Sequence, residues 1–192
     1  MDSLKGQFLV AMPSMGDERF HDAVVYLVGH GEEGAMGLVV NHSVEDMRFT
    51  DILEELQLGE KDALIQLPDS VKNRQVLRGG PVQTSRGFVL HSPDYFRAGN
   101  SYVVNDEICL TATLDILKAV AFEDSPAESL FALGYCGWSP GQLEAELQGN
   151  GWLTVPYSRE LLFELPIERR YDAALARLGI TRASLSGTAG HG

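Results

Sequence analysis

Two arginines, a glycine pair and a histidine lie in one short run, Arg78-Gly79-Gly80-Pro81-Val82-Gln83-Thr84-Ser85-Arg86-Gly87-Phe88-Val89-Leu90-His91. Guanidinium forks at Arg78 and Arg86, with backbone N–H groups exposed by Gly79-Gly80, could hold a phosphate or carboxylate. The same residues also fit a tight strand-to-strand turn whose arginines satisfy carbonyls. No Gly-Lys-Ser/Thr follows, and no GxGxxG is present, so neither a phosphate-binding loop nor a dinucleotide fingerprint is implied. His91 ends the run. It could serve as a general base, or its ring could satisfy a backbone carbonyl at a strand end.

A second run, Gly134-Tyr135-Cys136-Gly137-Trp138-Ser139-Pro140-Gly141-Gln142-Leu143-Glu144, joins a strand to a helix. Ser139-Pro140-Gly141-Gln142 reads as a capping box, and the first N–H groups of its helix would favour an anion. One expectation is therefore a shared concave site of Arg78, Gly79, Gly80, Arg86, His91, Gly137, Trp138 and Gln142, with Trp138 as an apolar wall. The competing expectation is that the glycines only permit close packing and Trp138 is core. Cys136 precedes a helix N-terminus, which lowers a thiol pKa, yet a buried cysteine is ordinarily a small apolar filler. Packing is the expectation for it. Glu144 and Glu146 are two apart, do not face each other on a helix, and are expected on a solvated face. His21 and His42 can approach, but two histidines without a third ligand do not make a metal site. No catalytic residue, metal or cofactor is assigned.

Apolar patterning gives the elements that must hold these residues. Phe8–Met12 is a strand ended by Pro13, and residues 23–30 and 35–41 form a hairpin around Gly31–Gly34. Thr50 should cap a helix running to Leu58, with Ile52, Leu53 and Leu56 on its buried face. Residues 60–75, polar and containing Pro68, read as a surface loop. Strands follow at Val76-Leu77 and 87–91, with a hairpin over 101–111 that turns at Asn105-Asp106. A helix over 114–122 should be capped by Thr113 and pack Leu114, Leu117 and Ala121. Residues 129–136 read as a central strand buried on both faces. A helix capped by Ser139 buries Leu143 and Leu147, a strand covers 152–155, and a last helix runs from Pro166 to Gly179. Residues 180–192 should fray. Hairpins among helices predict one α+β domain over 1–192, with a mixed, largely antiparallel sheet flanked by helices.

The net charge of −12, from 27 acidic and 15 basic residues, repels phosphate backbones. With no basic recognition helix, direct nucleic-acid binding is not expected. There is no GxSxG elbow. Two cysteines without CxxC spacing imply neither disulfide nor zinc, and fit a reducing compartment. Residues 1–6 lack a charged leader with an apolar core, and no run approaches a membrane span. A cytoplasmic monomer is expected.

Taken together, Ala11-Met12-Pro13, Gly34-Ala35-Met36-Gly37-Leu38-Val39-Val40-Asn41, the run from Gly79 to His91, Gly137-Trp138 with Gly141-Gln142-Leu143-Glu144, and Gly190-His191 resemble the YqgE/AlgH family of bacterial proteins. The resemblance implies one α+β domain with a strongly bent mixed sheet, a bacterial origin and a cytoplasmic address. It carries no agreed activity, and family members are sometimes called transcriptional regulators. The family pattern commonly has alanine where this chain has Cys136, so a thiol is not shared chemistry. The expected role is a binding or regulatory protein that recognises a small anionic ligand or a protein partner. The alternative is a hydrolase or transferase that uses His91 with an arginine electrophile.

Overall fold

Strands β1 (Phe8–Ala11) and β2 (Val24–Gly31) are apolar at nearly every position because they lie inside the sheet with packed layers on both faces. Phe8, Val10, Val24, Tyr26 and Val28 enter one layer, while Leu9, Val25 and Leu27 enter the other. The computed structural model describes residues 2–122 and 124–187. Among them, ten strands form one curled sheet with the main order β10-β1-β2-β3-β9-β6-β8-β7, and β4 and β5 attach beside β9. The remaining strands are β3 (Gly34–Val39), β4 (Ser43–Arg48), β5 (Gln75–Arg78), β6 (Val82–His91), β7 (Ser101–Val103), β8 (Cys109–Thr111), β9 (Ser129–Trp138) and β10 (Trp152–Val155). All pairings are antiparallel except β5 with β9. The domain is therefore α+β with a bent, largely antiparallel mixed sheet.

One face of the sheet is covered by the C-terminal elements, where Leu161, Leu162, Tyr171 and Leu175 pack on Phe8, Tyr26, Leu38 and Leu90. The opposite face carries two separate layers. Helix α5 (Gln142–Gln148) sets Leu143 beside Leu9, Val25, Trp138 and Trp152. Helices α1 (Phe49–Glu55), α2 (Lys61–Ile65) and α4 (Leu114–Ala121) cover Val76, Val89 and Phe131.

Several local expectations are corrected by long-range contacts. Helix α1 begins after Arg48, whose backbone N–H donates to the Asp51 carboxylate at 2.7 Å. Thr50 lies inside the first turn, and Leu56 is 41% exposed rather than core. The polar stretch at 60–75 holds two short helices, α2 and α3 (Asp69–Lys72), because Leu64 and Leu67 anchor it in the core. Strand β4 is too polar to read as a strand, and it forms by pairing with β5. Thr113 precedes α4 without making a cap bond. Leu114 is exposed, and Ile116 and Val120 join Leu117 and Ala121 in the core. The late helix expected from Pro166 to Gly179 divides into a 3-10 turn Ile167–Arg169 and α6 (Arg170–Ala176), and an unforeseen π-helical turn Glu160–Glu164 precedes it. Where fraying was expected, α7 (Arg182–Gly187) is held by ion pairs from Arg182 to Asp22 and Asp172. Residues 188–192, with the Gly190-His191 motif, lie outside the described residues.

Strand β9 organises the bend. One of its edges pairs with β6, and the other is shared between β5 at residues 131–133 and β3 at 136–138. The chain therefore leaves β5, crosses over β9 and enters β6 through Gly79-Gly80-Pro81. A Cβ on Gly80 would sit 2.2 Å from the Tyr135 carbonyl, and one on Gly134 would sit 2.4 Å from the Gly80 oxygen. Gly134 also has φ 76°, the left-handed region that side chains avoid. Only glycine on both strands lets the backbones cross this closely.

Gly141 supplies an internal control, since it also has a left-handed φ of 77° but no atom within 4 Å of a would-be Cβ. Gly141→Ala should cost about 1–2 kcal/mol for the backbone conformation alone. Gly134→Ala carries that cost plus the clash and should lose roughly 3 kcal/mol or more. Urea denaturation of both variants checks this, and equal losses would contradict the crossing.

Candidate functional site

The pairing of β4 with β5 sets Arg78 beside His42, with the Arg78 N–H donating to the His42 carbonyl at 2.8 Å. The Glu18–Phe20 turn brings Arg19 and Phe20 to the same place. Together with Val39, Gly80, Pro81 and Thr84, these residues line a cleft of about 500 Å³ at the crossing. Its ionisable lining is Arg19, Arg78 and His42, with no carboxylate, although the Asp17 carboxylate pairs with Arg19. Arg19 is oriented by Asp17, which accepts from its Nε at 3.0 Å and from Nη2 at 2.6 Å. The exposed Arg78 guanidinium makes no hydrogen bond or ion pair with the described residues. His42 donates from Nε2 to the His21 carbonyl at 3.1 Å, and burial holds its imidazole below the ordinary histidine range. An anion entering here would meet a free planar fork, a second arginine and apolar walls from Phe20 and Pro81.

The other residues expected in this site lie elsewhere. Gly79 donates its N–H to the Leu133 carbonyl at 2.7 Å and accepts from Val39 N at 2.8 Å, so it serves the sheet instead of an anion nest. Arg86 sits over the Phe88 ring, 5.2 Å from the centroid, and bonds Gln83 at 3.4 Å. Trp138 is core beneath α5. Its indole N–H donates to Glu146 at 2.9 Å, and Trp152 donates to the same oxygen at 2.8 Å. Glu146 is therefore a structural acceptor and Glu144 a partner of His30 at 2.7 Å, where a solvated face was expected for both. That bond holds the Glu144 carboxyl below its usual range.

Gly137 pairs with Met36 in the sheet. Gln142 forms half of the expected box, accepting from Ser139 N–H at 3.0 Å, while left-handed Gly141 occupies the cap and the Ser139 hydroxyl makes no cap bond. Cys136 is packing, as expected. Its thiol donates to the Gly79 carbonyl at 3.4 Å, and burial pushes its pKa up to about 12.

His91 lies at the far end of β6. Its partner on β9 is Ser129, whereas Val82 beside the cleft pairs with Tyr135. Six residues of β9 separate the two levels, about 20 Å. The ring is fully buried. Nδ1 donates to the Ser92 carbonyl at 2.8 Å, so Nε2 accepts from the Thr111 hydroxyl at 2.8 Å. Thr111 in turn accepts from Ser101 at 2.9 Å. Both nitrogens are occupied, and burial holds the ring below the ordinary histidine range.

The AlgH-like family model matches residues 8–183. The chain belongs to the AlgH-like family. It is 50% identical over 188 residues to a UPF0301 protein of Methylobacterium sp. (strain 4-46), covering 98% of this chain and 90% of that relative. A UPF0301 protein of Bradyrhizobium sp. (strain BTAi1 / ATCC BAA-1182) is 52% identical over 98% of this chain and 87% of its own. The solution structure of the AlgH protein from Pseudomonas aeruginosa is similar over 99% of this chain and 96% of its own, with TM-score 0.78 and 43% identity. A Corynebacterium diphtheriae protein shares the fold at TM-score 0.68 and 17% identity, over 92% of this chain and 87% of its own.

Arg19, Phe20, Val39 and His42 were not foreseen as cleft residues of this AlgH-like chain. His42 drew attention only as a metal ligand, and among the described residues no group of three or more His, Cys, Asp or Glu could hold a metal ion. No helix of the described residues is long and apolar enough to cross a membrane.

One buried histidine, His91, and one half-buried histidine, His42, fix a pH dependence. With folded-state pKa values of His91 and His42 lowered, the unfolded chain binds more protons as pH falls below about 6.5. Stability from these groups is therefore complete above that pH and is lost toward the lower folded-state values. His91→Asn should reduce overall stability but flatten its slope between pH 6.5 and 5, measured by urea denaturation. An unchanged slope would contradict the burial argument.

Proposed function

We propose that this protein binds a small anion bearing a phosphate or carboxylate group in the cleft formed by Arg19, His42, Arg78 and Gly80. One observation carries the reading. In a chain of net charge −12, the cleft is lined by two arginines and a histidine and by no carboxylate, and Arg78 is unpaired among the described residues. The glycines of the same run explain the close backbone crossing and contribute position more than contacts. The enzyme reading that uses His91 loses its support, because neither ring nitrogen is free and the side chain does not reach solvent. Both cysteines are free and buried, which fits the cytoplasmic address included in this proposal. Binding in the cleft could serve a regulatory role by stabilising the junction of β3, β5 and β9.

Calorimetric titration with inorganic phosphate and pyrophosphate tests the reading. Both should bind, the more highly charged pyrophosphate more tightly. Arg78→Met should weaken binding about tenfold to a hundredfold, the loss of a charge-assisted contact worth roughly 1.5–3 kcal/mol. Arg86→Met, which alters an arginine outside the cleft, should leave affinity unchanged. Equal effects of the two substitutions would overturn the assignment.

A further inference from the structure

A second concavity, of about 380 Å³, lies between α1 and α4 over the sheet. Its walls include Met47, Ile52, Leu117, Phe131 and Leu133, and its charged lining is a single carboxylate, Glu55. Leu56 and Leu114 also line it, 41% and 52% exposed. Thr113 lines it too, and its hydroxyl oxygen is buried without a hydrogen-bond partner among the described residues. Buried polar groups are ordinarily paired, so this oxygen has the character of a group awaiting a partner.

The groove and the arginine cleft share Thr84 as a lining residue. They also open on the same face of the sheet. Along β5, Leu77 enters the layer under the C-terminal elements, while Val76 enters the α1–α4 layer and Arg78 shares its side. Val39 and Phe20, on the cleft's other side, belong to the α5 layer of that same face. Between Val82 and Gly87, β6 leaves its register with β9, and Gln83 takes φ 45°. Thr84 and Ser85 stand on this irregular stretch.

We propose that the cleft and the groove are two halves of one site for a single-chain anionic amphiphile, a phosphate or carboxylate head carrying one alkyl or acyl chain. This inference rests on the anion reading and adds the class of ligand. Charge complementarity sets the direction: the head meets Arg78 and Arg19 beside His42, and Glu55 excludes it from the groove. The chain passes Thr84 and lies against Met47, Ile52, Leu117 and Leu133, removing their apolar surface from water. A polar group on the far part of the chain would complete the bonding of Thr113.

Calorimetry of the full chain with decyl phosphate, decan-1-ol and inorganic phosphate, each below its aggregation concentration, tests this. Decyl phosphate should bind more than about tenfold tighter than either other probe, because several methylenes are buried together with a paired charge. Arg78→Met should reduce decyl phosphate to the affinity of decan-1-ol. Leu114→Glu, at an exposed position in the first turn of α4, should weaken both chain-bearing probes while leaving inorganic phosphate unchanged. If phosphate binds through Arg78 but decyl phosphate binds no tighter, the two-part site is overturned and the anion reading stands. If decan-1-ol matches decyl phosphate and Arg78→Met changes neither, the groove is separate from the cleft. If phosphate and decyl phosphate both fail to bind, both readings fall.

Discussion

The passage of one backbone across another at Gly80 and Gly134 is the constraint on which the rest of this fold depends. Strands β5 and β6 flank β9 on opposite edges, so their three-residue connection must ride directly over it. The carbonyl of Gly79 then accepts from Val39 N–H, which ties β3 to the crossing and lets β9 pair with two strands along one edge. A side chain on either glycine would push these strands apart and separate the two layers of the outer face. Glycine here serves the close approach of two chains, and the Gly79 N–H and carbonyl are both taken up by the sheet instead of an anion nest.

That crossing also determines which arginine is available. Arg78 is the last residue before it, held at the His42 carbonyl by its own N–H, with its guanidinium unpaired among the described residues at the seam between the α5 and α1–α4 layers. Arg86 lies beyond the crossing and covers Phe88, so two arginines that look alike in sequence do different work. His91, fully hydrogen-bonded and buried, secures β6 to the β7–β8 hairpin through Thr111 and Ser101. Trp138 and Trp152 share Glu146, and that acceptor orients α5 over the strand that follows it. Membership of the AlgH-like family accounts for the order of these motifs, and the contacts above account for why glycine, tryptophan and histidine stand in them.

Much of the architecture was legible where one residue pattern has one physical outcome. The apolar runs at 8–11 and 24–28 and the glycines of the first turn placed β1, β2 and β3, and the Asn105-Asp106 turn placed the second hairpin. Strand β4 was not legible, because Ser43–Arg48 is half charged and becomes a strand only through β5. The helices at 61–65 and 69–72 depend on Leu64 and Leu67 reaching a core built by distant residues. The candidate site divides in the same way. Arg78 and Gly80 were visible as a pair, but the approach of Arg19 and His42 needs the β4–β5 pairing and the Glu18–Phe20 turn, which have no local signature. Gly137, Trp138 and Gln142 stood out through composition that serves packing and capping.

Chemical-shift mapping with pyrophosphate on isotope-labelled protein tests the central claim most directly, because it reports location together with binding. Arg78, Gly80 and Thr84 amides and the His42 ring should shift together and saturate at one concentration, while the Gln142 amide and the His91 ring stay unmoved. Saturable shifts centred on His91 or on residues 137–142, with Arg78 and His42 unaffected, would contradict the account.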